Sequence, residues 1–357
     1  MKSILNIRIV GYLIIFCLCN FMLSCFPAKD STGLGNKIEY TKNAVIPQYE
    51  GLQLAVFTKP KDYKMNVDQG ERLIKMCSNL SDVSGRGNEL RLNEEQKSEN
   101  ERWYINPRDP SAIVNFNMQN GDFTFNTGMR AYTDKRSTPG LQKAERAVEQ
   151  AKSYLAKLEI LYNRDELVTA HIGGLNMSTH DAENNKAVYE KFTTVRFDRQ
   201  LDKIPVYGHS RIIVQMAEEG KLNSLIRQWT PLNKLTTKKE EILTSPDFKK
   251  QLEQAILSEN TDAQKIRLES LDLVYYDDGL GRIEPAVHVT GKTVHALKSR
   301  DGSTTSQEFS YDTVVPLLKS PGVRYPFNHS NLEKRPNQIN ETGKSEPGRK
   351  SEDDLNK

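Results

Sequence analysis

Thr193, Val195 and Phe197 alternate with Thr194, Arg196 and Asp198, and further on Ile212, Val214 and Met216 alternate with Arg211, Ile213 and Gln215. Side chains two apart lie on one face of a strand, so each stretch is expected to form a half-buried strand over a shared core. Upstream, Ala144, Ala147, Val148, Ala151, Tyr154, Leu155 and Leu158 follow the three-and-four spacing of an amphipathic helix. Ser137-Thr138-Pro139 supplies a cap and a proline for its first turn. Leu167 to Ile172 reads as a short strand closed by Gly173-Gly174, and Glu218-Glu219-Gly220-Lys221 as the hairpin turn into Leu222 to Trp229. The expected unit is one helix packed on an antiparallel sheet.

The same order recurs after Pro231. Pro246 can open a helix whose Phe248, Leu252, Ala255 and Ile256 share a face. Leu271 to Tyr276 then reads as a strand, Asp277-Asp278-Gly279 to Gly281 as a turn, and Ile283 to Thr290 as the returning strand, with Pro285 at an edge or a strand start. A weaker copy comes first: Asn66 and Gln69 form a capping pair before a helix to Cys77, followed by strands at Trp103 to Ile105, Ile113 to Met118 and Phe123 to Phe125. Helix followed by sheet, in series, places the chain in the α+β class rather than among parallel βαβ folds.

At the N-terminus, Lys2 and Arg8 precede an uncharged stretch from Ile9 to Leu23 that ends in Met22-Leu23-Ser24-Cys25. This is the layout of a secretion signal and is short for a membrane span of about 20 apolar residues. The last four residues resemble a bacterial lipobox, with methionine where leucine is usual. The resemblance implies cleavage before Cys25, a diacylglycerol on its sulfur, and a mature protein lipid-anchored in the bacterial cell envelope. Phe26 in place of an aspartate favours the outer membrane over the inner. Cys77 is then the only thiol left, so no intramolecular disulfide can form. It shares a helical face with Leu73, Met76 and Leu80, the setting of a core cysteine.

These readings divide the chain into a signal (1–24), a flexible tether (25–45), a first α+β unit (46–135), a second (136–232), a third (233–320) and a disordered tail (321–357). Asn331 to Lys357 holds no aromatic residue and mixes charge with proline and glycine. The net charge of +3, with both signs interspersed and no basic run, gives no reason to expect a nucleic-acid partner.

Val195 to Gly208, with Ile204-Pro205-Val206-Tyr207-Gly208 at its centre, followed by Ile212 to Val214 and Glu219-Gly220-Lys221, resembles the FTP and PepSY-like modules of thermolysin-type protease precursors. Here a strand is expected to end at Leu201, and Lys203 to Gly208 to turn the chain. The resemblance spans roughly residues 140 to 232 and is looser around Leu273 to Tyr276 and Glu284 to Ala286. It implies tandem cystatin-like units and, in some relatives, inhibition or chaperoning of a peptidase. No His-Glu-x-x-His occurs anywhere in the chain.

Residues that carry chemistry are scattered. Histidines 171, 180, 209, 288, 295 and 329 form no pair at metal-ligand spacing, and no nucleophile elbow, phosphate loop or dinucleotide fingerprint occurs. Asp277 and Asp278 beside Gly279 offer calcium ligands, but a turn accounts for them more simply. No metal, cofactor or catalytic residue is expected. Tyr207 and Trp229, near strand ends, are candidate interface anchors, with a core position the stronger reading for Trp229. The expected function is a non-enzymatic, protein-binding or structural envelope lipoprotein held to the membrane at Cys25. The alternatives are a peptidase inhibitor or folding helper, and a hydrolase with an unfamiliar site.

Overall fold

The structure, a computed structural model, describes residues 37–81, 93–107, 109–128, 132–160, 163–180, 186–298 and 302–326. In chain order its strands are β1 (Ile38–Tyr40), β2 (Ala55–Thr58), β3 (Asn93–Lys97), β4 (Glu101–Asn106), β5 (Asp109–Asn117), β6 (Phe123–Thr127), β7 (Leu167–His180) and β8 (Lys186–Leu201). They continue as β9 (Ile204–Gly208), β10 (Arg211–Met216), β11 (Leu222–Gln228), β12 (Asn233–Thr236), β13 (Lys265–Asp277), β14 (Arg282–Lys298) and β15 (Thr304–Pro316). The α-helices are α1 (Val67–Leu80), α2 (Ala144–Lys157) and α3 (Ser245–Glu259). All strands join one mixed 15-stranded network in the order β12-β2-β14-β13-β9-β8-β10-β11-β6-β5-β4-β3, with β1 on β13, β15 on β14 and β7 on β8.

This architecture corrects the expected α+β chain of tandem cystatin-like or PepSY-like units, each a helix on its own sheet. The expected first and second units share a sheet, because β6 pairs with β11, with Phe125 opposite Leu225. Residues 46–58 belong with the far end of the chain, where β2 pairs with β12 and β14. The physical reason is edge removal: separate small sheets would each leave unpaired strand edges, and merging them satisfies those backbone groups.

Both expected flexible ends also change. Within the tether, β1 runs parallel to β13, with Ile38 opposite Ile266. In the expected tail, Val323 and Tyr325 are buried against Val274 and Ala286. The signal 1–24, Cys25 and residues 327–357 lie outside the described residues.

The inward positions are largely those that the periodicity selects. Ala147, Ala151, Tyr154 and Leu155 of α2 join Leu73 and Cys77 of α1 over Phe116, Phe125, Val195, Phe197, Ile212 and Val214. A second core sets Phe248, Leu252 and Ile256 of α3 on Ile266, Leu268, Val287 and Val289. Asn66 and Gln69 close the capping box of α1 as expected. Inside α1, Gly70 lies under the Phe116 ring, where an added Cβ would stand 2.5 Å from a ring carbon.

Helix α2 starts at Ala144 rather than Pro139 because the expected cap has another partner. The Glu190 amide donates to Ser137 Oγ and the Thr138 amide to the Glu190 carbonyl, so this segment runs beside β8. Lys191, 2% exposed, holds it there by donating to the Asp134 and Arg136 carbonyls and to Asp134 Oδ1.

The expected turn at Lys203 to Gly208 is strand β9 instead. Asp202 and Lys203 both take positive φ, the geometry of a two-residue hairpin that sets Gln200 opposite Pro205. Strand β9 then runs parallel to β13, with Tyr207 opposite Tyr276, and ties the two parts of the network together.

Candidate functional site

Three turns meet where β9 joins the two parts. His209, between β9 and β10, places Nε2 2.8 Å from Asp122 Oδ2, in the turn before β6. The buried Asp277 carboxylate accepts from Ser210 Oγ at 2.5 Å and from the Gly279 amide at 2.9 Å. Asp278 accepts from the amides of Leu280 and Arg324. Both aspartates therefore organise a turn. Arg199 donates to Glu166 Oε2 at 2.6 Å and to the Thr230 carbonyl at 2.8 Å, and its guanidinium lies 4.8 Å from the Trp229 ring centre. Trp229, 3% exposed, is a core residue.

Burial pushes the His209 imidazole down, but the hydrogen bond and charge of Asp122, backed by Asp277, outweigh it and hold the pKa above its ordinary value. A raised folded-state pKa contributes stability that is fully present below about pH 6.5 and is lost as pH rises through the folded value. Burial also raises the Asp277 carboxyl, and the charge of His209 works against that rise, so the two groups are coupled and the His209 variant reads their joint effect. In urea titrations, the stability advantage of wild type over His209→Asn is expected to shrink between pH 5.5 and pH 8.5, values set about one to two units either side of the ordinary imidazole range. A pH-independent difference would show that His209 does not carry charge in this contact.

Tyr207 is half-buried and engaged within its own chain. Its hydroxyl donates to Asp312 Oδ1 at 2.7 Å, and its ring stacks 4.1 Å from that of His288, whose Nε2 lies 3.0 Å from Asp312 Oδ2. Burial, then Asp312, pushes the phenol well up. The expected interface residues Tyr207 and Trp229 are therefore not brought together on a free surface.

His295 contacts Asp262 and Thr293, while His171 and His180 lie exposed on β7; His329 is outside the described residues. Burial raises the Cys77 thiol, the state of a core cysteine. Among the described residues no group of three His, Cys, Asp or Glu side chains is placed to hold a metal.

The feature open to a partner is β7. It continues through Gly173-Gly174 to His180, paired on one side with β8 and, among the described residues, with no strand on the other. The glycines permit this, since a Cβ on Gly174 would stand 2.5 Å from the Phe192 carbonyl oxygen. Sheet edges are ordinarily protected by charge or proline. From Leu167 to His180 there is no Asp, Glu, Lys, Arg or Pro, and Val168, Ile172 and Leu175 are exposed, as is Val188 of β8. The edge strand β15, by contrast, carries Glu308, paired with Arg267 and Lys292, and Asp312. The sequence held a signal for this site: fourteen uncharged residues between Glu166 and Asp181, masked when the glycines are read as a strand end.

No protein-family profile matches the chain, and no curated protein matches it. Among solved structures it is similar to an uncharacterized protein from Eubacterium rectale ATCC 33656, at 12% identity and a TM-score of 0.43 over 82% of this chain and 92% of that one. So loose a likeness assigns neither fold nor activity.

Proposed function

We propose that this chain is a binding protein of the bacterial envelope, lipid-anchored at Cys25, and that its binding element is the free edge of β7. The observation that carries the reading is a fourteen-residue strand edge without charge or proline, bearing exposed apolar side chains. Such an edge presents alternating amide donors and carbonyl acceptors to any extended segment, which can add as a further strand. Main-chain hydrogen bonds would supply much of the affinity, and Ile172 and Leu175, on opposite faces of β7, the side-chain contacts. The lipobox-like ending at Cys25 supports the anchor.

Each part has its own test. Cys25→Ala is expected to abolish labelling by a fatty-acid analogue and to release the protein from membranes; unchanged labelling would refute the anchor. For the edge, hydrogen exchange of the 167–180 peptide is compared between native membranes and dilute, detergent-solubilised full-length chain. At least about tenfold slower exchange in membranes is expected, since a bonded amide must open before it exchanges. Equal rates would contradict a bound edge.

A further inference from the structure

We propose that the strand added to β7 is β7 of a second copy of this chain, antiparallel to the first about a two-fold axis at Leu175. The inference rests on reading the β7 edge as a binding site and names its occupant.

Three observations select a copy of the same chain. First, past Glu190, where Ser137 and Thr138 bond to β8, the outer end of the β7–β8 ribbon has no further strand beside it among the described residues. Strand β10 covers β8 only from Thr193 to Asp198, and from Leu175 to His180 the residues of β7 are exposed or half-exposed on both faces. A two-stranded ribbon is marginal in water, whereas two ribbons joined edge to edge make four strands. Second, an uncharged strand meets no like charge when it faces itself, and it offers a charged peptide no compensating attraction.

Third, the register has a natural centre. The pairing of β7 with β8 is shifted between Thr169 and His171, where Ala170 of β7 is the extra residue, and again between Leu175 and Asn176, where the extra residue is Lys191 of β8; from His171 onward β7 has no extra residue of its own. The two central residues of His171–His180 are Leu175 and Asn176, and an axis at Leu175 sets an exposed apolar side chain against its own copy. A two-fold axis perpendicular to the ribbon preserves its faces, so only residues an even number of positions apart can be opposite each other. With the axis at Leu175, that residue meets the partner subunit's Leu175. Met177 is then opposite the partner subunit's Gly173, and Asn176 opposite the partner subunit's Gly174. Pairing His171–Thr179 about this axis gives about eight or ten interchain backbone hydrogen bonds, two for each hydrogen-bonded pair, close to the roughly ten of an ordinary interface.

Disulfide trapping in cells tests this on the full-length protein. Leu175→Cys brings two thiols directly opposite, within the Cα separation of about 4.4–6.8 Å that a disulfide needs. Met177→Cys leaves its two copies roughly 14 Å apart, four residues along the strand. Under a mild oxidant Leu175→Cys is expected to run as a covalent dimer on a non-reducing gel, and Met177→Cys as a monomer. Leu175 is exposed, so the cysteine variant is expected to keep its melting temperature, and buried Cys77 stays out of reach of the oxidant. Wild type is expected to crosslink chemically as a dimer, and Leu175→Lys, which sets two ammonium groups face to face, to lose that product. A folded Leu175→Cys protein that stays monomeric overturns the proposal, as does equal or preferential trapping at Met177. If trapping fails while the 167–180 peptide is still protected in membranes, the second copy is refuted and the bound edge stands; if both fail, the edge reading falls as well.

Discussion

Replacing Arg199 with methionine is expected to destabilise the protein by about 3 kcal/mol, because removing one partner of a buried ion pair leaves the other without compensation. Arg199 is 3% exposed and stands near the end of β8, where the chain turns toward β9. It fixes three separate pieces: Glu166, just before β7, through Nε and Nη2; the Thr230 carbonyl through Nη1; and the face of Trp229. Methionine keeps much of the apolar stem and removes the charge and the donors. Glu166 is itself 22% exposed, which lets water recover part of the loss and sets the expectation at the lower end of the range for buried pairs. Adding Glu166→Gln to Arg199→Met should recover part of the loss, a coupling that a double-mutant cycle reads from urea midpoints. A cost for the single variant below about 1 kcal/mol would place the pair with surface salt bridges instead.

The other large effect is expected at the second core. Phe248→Ala should cost about 3–5 kcal/mol, the range for removing a buried aromatic ring. Phe248 is fully buried at the first turns of α3 and meets Tyr49 edge to face, with ring centres 6.1 Å apart. Tyr49 comes from the N-terminal stretch that leads into β2, so the cavity would undermine α3 and the seat of that stretch together. Thermal unfolding measures the total, and faster hydrogen exchange in residues 44–58 would show the second consequence. A loss near 1 kcal/mol with unchanged exchange would mean that α3 is held mainly by Leu252 and Ile256.

Periodicity made the inward side of each element legible, because burial of alternate residues is a local property of a strand. Val195 and Phe197, Ile212 and Val214, and the stripe from Ala147 to Leu155 all reach the core. Which strands lie side by side was not legible. The pairing of Phe125 with Leu225 joins residues about a hundred positions apart, and nothing in either segment specifies the other. Two local signals also misled, each for a nameable reason. Ser137 suits a helix cap, but its hydroxyl serves the Glu190 amide. Gly173-Gly174 suits a strand end, yet β7 passes through it because the close Phe192 carbonyl leaves no room for a Cβ on Gly174. The aromatic residues singled out as anchors met the same limit: Trp229 is covered by Arg199, and Tyr207 is engaged by His288 and Asp312.

The most direct measurement is photocrosslinking in living cells, with a photoreactive residue placed in the full-length, membrane-anchored protein at Leu175 of β7 or, for comparison, at Phe309 of β15. Both positions are exposed and both lie on long hairpins, so they differ chiefly in the edge beside them. A discrete covalent product from position 175, of one mass and absent at 309, is the predicted result. Products at 309 alone, or none at either position with the protein correctly anchored, would contradict a binding edge at β7.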